Sequence, residues 1–117
     1  MIYLASPYSD PNSDIREERY KAALWCVASL ISTGAKAFSP IVHNYYVAKL
    51  VGDHNDWFFW RDYDLCWLRK CESMFVLNIL GWEKSVGVTA ERVFASSNNI
   101  PVSLVNVEGG FISELRT

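Results

Sequence analysis

The stretch that most limits what this chain can become is residues 74–99. An apolar run at 74–80 reads as a buried strand. Ser85-Val86-Gly87 follows, then a helical segment that ends near Asn98-Asn99 and is stopped by Pro101. A strand, a Ser/Gly turn and a helix start present backbone N–H groups to an anion. Ser85 can cap the helix or donate its hydroxyl to the same anion. Gly87 allows close approach of a ligand because no Cβ intervenes. Glu91 then falls in or near the first turn. There it either complements the helix dipole, as most first-turn acids do, or faces a pocket as a catalytic carboxylate.

The rest of the chain is organised around that unit. Residues 1–5 form a short apolar strand, followed by the turn-rich Ser6-Pro7-Tyr8-Ser9-Asp10-Pro11-Asn12-Ser13. A helix is predicted over 14–33, with Ile15, Ala22, Ala23, Cys26, Val27, Leu30 and Ile31 at three- and four-residue spacing and Gly34 as its terminal glycine. A second strand spans 35–39 and is closed by Pro40; a helix over 43–51 ends at Gly52. Asp53, His54, Asn55 and Asp56 are cap candidates for a further helix over 57–70. The last strand is 102–107, and the remainder, with Gly109-Gly110, reads as a tail. Strands alternating with helices imply one α/β domain, residues 1–117, with a mostly parallel sheet of four to five strands. Ligands of such sheets bind beyond the carboxyl ends of the strands. Here those ends are the loops 6–13, 39–43 and 80–87.

On the helix over 57–70, Trp57, Trp60, Asp64, Trp67 or Leu68, and Cys71 share a stripe. Asp64 interrupts this apolar face, and an ionised carboxylate is costly to bury unless it is paired or used. Its alternatives are an ion pair with Arg61 or Arg69, exposure to solvent, or a functional role. Tyr3 either packs in the first strand or donates its hydroxyl to Glu91. His43 is a structural or ribose-contacting residue. Trp57-Phe58-Phe59-Trp60 covers every side of its helix, which points to a subunit interface, a base-stacking wall, or packing under the adjacent loop.

Composition narrows the function classes. Half of the 117 residues are hydrophobic and 15% aromatic, which suits a compact globule. A net charge of −2 and a pI near 5.6 leave no basic footprint for a nucleic-acid polymer. No apolar stretch approaches the ~20 residues of a membrane span, and the N-terminus reads as a strand, not a signal peptide. Cys26, Cys66 and Cys71 form no C-x-x-C pair, which suits a cytoplasmic chain. Together with His43 and His54 they fit no zinc spacing, so no metal is expected.

Four signatures in order carry a family resemblance: Ile2-Tyr3-Leu4-Ala5-Ser6-Pro7, Phe38-Ser39-Pro40, Asp64-Leu65-Cys66-Trp67-Leu68, and Ser85-x-Gly87-x-x-x-Glu91-x-x-x-Ala95. Together they resemble the nucleoside 2-deoxyribosyltransferase superfamily. The resemblance implies a flavodoxin-like fold, a homodimer or higher homo-oligomer with active sites at a subunit interface, and no cofactor. It implies Glu91 as the nucleophile at C1′ of a deoxyribosyl group, Asp64 as the carboxylate that assists departure of the base, and Tyr3 as the hydroxyl that positions Glu91.

The transferases of free nucleosides usually carry Asp six residues before the nucleophile, where this chain has Ser85. A serine there is similar to the 2′-deoxynucleoside 5′-monophosphate N-hydrolase branch, since Asp would repel a phosphate that a hydroxyl and helix N–H groups can hold. Ser6 and Ser9 would complete the phosphate cradle. The branch has Gly then Ser where this chain has Ser6-Pro7, and it takes a phosphate contact from a partner's C-terminal region, for which Ser113 and Arg116 are the candidates here. The expected reaction is hydrolysis of a nucleotide's N-glycosidic bond through a glycosyl-Glu91 intermediate. The two carboxyls would lie ~5 Å apart, as in retaining glycosidases. Transfer to an acceptor base, or nucleotide binding without catalysis, are the alternatives.

Overall fold

A computed structural model describes residues 1–52, 57–108 and 111–115. The strands are β1 (Ile2–Ala5), β2 (Ala37–Phe38), β3 (Ser73–Leu77), β4 (Val102–Glu108) and β5 (Phe111–Leu115). The helices are α1 (Ser13–Ser32), α2 (Pro40–His43), α3 (Tyr45–Val51), α4 (Trp57–Arg69) and α5 (Val86–Ser97), with a 3-10 turn at Trp82–Lys84. The sheet order is β2-β1-β3-β4-β5. β1 to β4 are mutually parallel, and β5 runs antiparallel to β4. This is the flavodoxin-like order, in which the chain leaves β1 toward one edge and β3 toward the other.

Alternation along the strands sorts the core into two layers. Leu4, Leu77 and Val105 pack with Ala23, Cys26, Val27 and Leu30 of α1 on one side. Tyr3, Ala5, Met74 and Val76 pack with Leu68 of α4 and with Val88 and Ala95 of α5 on the other. Each large side chain fully buried this way contributes about 1.5–3 kcal/mol. Ile15 and Ile31, expected on the buried stripe of α1, are exposed instead, because the sheet covers only the arc between them.

The turns follow local chemistry. Asn12 caps α1 by accepting from the Asp14 N–H. Ser39 caps α2 in the same way, with Pro40 at its first position, so Pro40 opens a helix where a strand end was expected. The helix expected over 43–51 is α3, beginning at Tyr45, and the turn expected before it is the short helix α2, which meets α3 at Asn44. Gly34 holds φ +91° just past α1, a conformation that costs a side-chain-bearing residue.

β5 was expected as tail; its register sets Glu108 opposite Phe111, and the intervening Gly109-Gly110 dipeptide is a recognised hairpin signal. The cap candidates Asp53, His54, Asn55 and Asp56, the Gly-Gly pair, and the side chains of Ser113 and Arg116 lie outside the described residues. Among the described residues no helix is long and apolar enough to cross a membrane.

Candidate active site

The crevice of a doubly wound sheet opens where β1 and β3 send their connections in opposite directions. Here it is a cavity of about 660 Å³, a size suited to a small molecule. All three loops expected at the carboxyl ends contribute, through Ser6 and Ser9, through Pro40 and Ile41, and through Gly81 and Ser85.

Glu91 lies in the second turn of α5, not the first, and is only 4% exposed. Stabilisation by the helix dipole fades beyond the first turn, so that explanation does not account for it. Its carboxylate lines the cavity and accepts a hydrogen bond from the Tyr3 hydroxyl. Tyr3 is fully buried on β1, so both readings of that residue hold together: it packs in the core against Phe38 and aims its hydroxyl at Glu91.

Asp64 is 7% exposed on α4 and lines the same cavity. Neither structural alternative holds for it. Arg61 pairs with Asp62 at 3.5 Å, and the Arg69 guanidinium sits over the Phe94 ring. Asp64 Oδ1 has no hydrogen-bond partner among the described residues.

Burial dominates the electrostatics. It pushes the Glu91 carboxyl up to about 8; the Tyr3 hydrogen bond works against that rise and the nearby Asp64 charge adds to it. Burial alone pushes Asp64 up to about 7. Burial, then the charges of Glu91 and Asp64, hold the Tyr3 hydroxyl well above its ordinary value, so it remains a donor throughout. Two carboxyls that sense each other and titrate near neutrality are suited to exchanging the roles of base and acid.

Ser85 caps α5, its Oγ accepting from the Val88 N–H at 3.2 Å, which leaves its own proton free to donate. Ser6 is 7% exposed in the same cavity, and its Oγ has no partner among the described residues. Ser9 lines the rim. Gly87 also lines the cavity, but the space beside its Cα belongs to a protein ring: an added Cβ would stand 3.3 Å from the Trp57 indole. The missing side chain therefore seats Trp57 against α5. Trp57, Phe58 and Trp60 form an aromatic wall.

His43 is the one expected site residue placed elsewhere. It is exposed, stacks on Phe38, and accepts the Ser39 N–H at its Nδ1 (3.1 Å), and it is not part of the cavity lining. The next residue is there instead. Asn44 is buried in the lining, with its Nδ2 unpartnered among the described residues. Sequence offered no sign of this, because the break between α2 and α3 decides which side chain turns inward. Arg19 and Lys84 were missed as well. Among the described residues, no group of three or more His, Cys, Asp or Glu could hold a metal ion.

Residues 1–107 match the model of a family described as a domain of unknown function (DUF1937). Among curated proteins none matches the chain significantly.

Proposed function

For this chain, which belongs to the DUF1937 family, we propose hydrolysis of the N-glycosidic bond of (deoxy)nucleoside 5′-monophosphates, with release of the free base. The observation that carries the reading is a pair of buried carboxyls, Glu91 and Asp64, facing one cavity, of which only Glu91 is held by a hydroxyl donor, Tyr3.

Breaking a bond from an anomeric carbon to a base nitrogen builds positive charge on the sugar. Ionised Glu91 attacks C1′; the C1′–N bond breaks, and its electron pair leaves on the base, which takes a proton from Asp64. Water then attacks C1′ of the glycosyl ester, gives a proton back to Asp64 and frees the Glu91 carboxylate. Tyr3 orients the nucleophile, the aromatic wall stacks on the base, and Ser6, Ser9, Ser85 and the start of α5 receive the phosphate. Binding of that remote phosphate positions the sugar, so a substrate lacking it loses rate.

Homo-oligomerisation is part of this reading. It is supported by Phe58, Phe59 and Tyr63, which α4 leaves exposed in the isolated chain. Sedimentation of the purified protein tests it, and a strictly monomeric species would discard it.

The deciding measurement is incubation with nucleosides and their 5′-monophosphates, followed by chromatography for free base. Base released from monophosphates and not from nucleosides is the expected outcome. Equal release from both removes the phosphate from the reading, and no release removes the chemistry. A second free base added to the mixture separates hydrolysis from transfer, since transfer yields a new nucleotide.

A further inference from the structure

The cradle described so far for the phosphate is neutral: hydroxyls and main-chain N–H groups. Two cationic side chains outside that set reach the same cavity. Arg19 rises from α1, where its Nη1 donates to the main-chain carbonyls of Ser9 (2.9 Å) and Tyr8 (3.4 Å). Its Nη2 lies against Gly81, where an added Cβ would stand only 2.5 Å away. The guanidinium thus bridges the loop after β1 and the loop after β3, across the point where the sheet's connections diverge. Gly81 has φ +99° and begins the 3-10 turn that ends at Lys84, whose N–H returns to the Gly81 carbonyl (3.2 Å).

Neither cation has a carboxylate partner among the described residues. Among the described residues the ion pairs are the N-terminus with Glu72 and Arg61 with Asp62. Asp10 also lines the cavity, but its Oδ1 is engaged by the Asn12 N–H at 2.9 Å. Lys49, the remaining cation of the lining, sits over the rings of Tyr45 and Tyr46. A guanidinium fixed by two carbonyls and in no ion pair among the described residues, in a cavity that also holds the Ser6 hydroxyl, unpartnered among those residues, is arranged for an anion that comes from outside.

We infer that Arg19 and Lys84 are the charge-bearing contacts for the substrate's phosphate, so that this site takes a phosphomonoester dianion and discriminates against the neutral nucleoside. The inference rests on the reading above for the identity of the ligand, but the anion site can be tested without any turnover. Arg19 offers a planar fork for two phosphate oxygens, Lys84 a mobile point charge, and Gly81 the room the fork needs.

Calorimetric titration of inorganic phosphate, then of a deoxynucleoside 5′-monophosphate and its parent nucleoside, tests the pair. Wild-type protein is expected to bind phosphate and the monophosphate. Arg19→Ala should weaken both by about tenfold to a hundredfold while leaving nucleoside affinity unchanged. Arg19→Lys should recover only part of the loss. Lys84 is exposed, so Lys84→Ala is a folding-neutral arm, expected to weaken phosphate binding and its salt dependence. If Arg19→Ala does not fold, Arg19→Lys and Lys84→Ala decide. Phosphate affinity unchanged in both, or absent in the wild type, overturns the inference. Phosphate binding that depends on Arg19 in a protein that releases no base would keep the anion site and discard the glycosidase.

Discussion

The two layers that flank the sheet are made by the same alternation and differ in what they leave unsatisfied. The layer under α1 packs apolar side chains, from Leu4 and Leu77 to Cys26, Val27 and Leu30, and its buried Ser29 has its hydroxyl satisfied by the Trp25 carbonyl at 2.9 Å. The layer under α4 and α5 has a similar apolar floor, yet at its upper end it buries Tyr3, Asp64 and Glu91. Burial stabilises the first layer without qualification. In the second, the same burial lifts two carboxyls toward neutrality, a cost to folding that packing alone does not explain. One side of the molecule is spent on holding together and the other on reactivity.

Substitutions on each side test how sharp this division is. Glu91→Gln is nearly isosteric and should abolish base release, by at least about a thousandfold, with the fold intact by circular dichroism. Undiminished release would remove Glu91 from the chemistry. Asp64→Asn should slow release by about a hundredfold to ten-thousandfold. In the wild type, kcat/KM should follow a bell with limbs near 7 and 8, which belong to the pair jointly, whichever carboxyl holds the proton. Asp64→Asn should erase the alkaline limb, since no acid remains to deprotonate. A bell that keeps both limbs would assign the proton to another group.

Across the sheet, Leu4→Ala should cost about 2–5 kcal/mol in denaturant unfolding yet leave the turnover of the folded fraction unchanged. A comparable fall in kcat would show that the two layers are not separable. Tyr3→Phe should cut kcat by about tenfold and move the Glu91 titration upward, because the hydrogen bond that opposes the rise is gone. An unmoved pH profile would reduce Tyr3 to packing.

The same two carboxyls also set how stability depends on pH. Each buried carboxyl favours the folded chain below its ordinary value, 3.8 for Asp64 and 4.5 for Glu91. That advantage is lost as pH rises toward about 7 and about 8. Wild-type stability should therefore fall between pH 4 and 8 relative to the Asp64→Asn, Glu91→Gln double variant, by at most about 1.4 kcal/mol per pH unit for each group. Parallel stability curves would mean that neither carboxyl is perturbed.

Much of the frame was legible because it is local. Met74, Val76 and Leu77 announce a buried strand, Gly34 a helix end, and Ser85 a cap, each through its immediate neighbours. Asp64 stood out as a charge on an apolar stripe, and the fold buries it. His43 and Asn44 show where such reading fails. They are adjacent in sequence, and only the break between α2 and α3 turns Asn44 into the cavity and leaves His43 on Phe38. Gly87 failed differently, since its missing side chain makes room for Trp57 and not only for a ligand.

The sequence alone determined the alternation of strands and helices, the parallel core and the three loops at its carboxyl ends, since backbone propensity and apolar period act over a few residues. Only the tertiary structure decided that Tyr3 meets Glu91 across 88 positions, that Arg19 reaches Gly81, and that Asp64 Oδ1 is left without a partner among the described residues. Those relations depend on which strands lie side by side, and long-range packing sets that order.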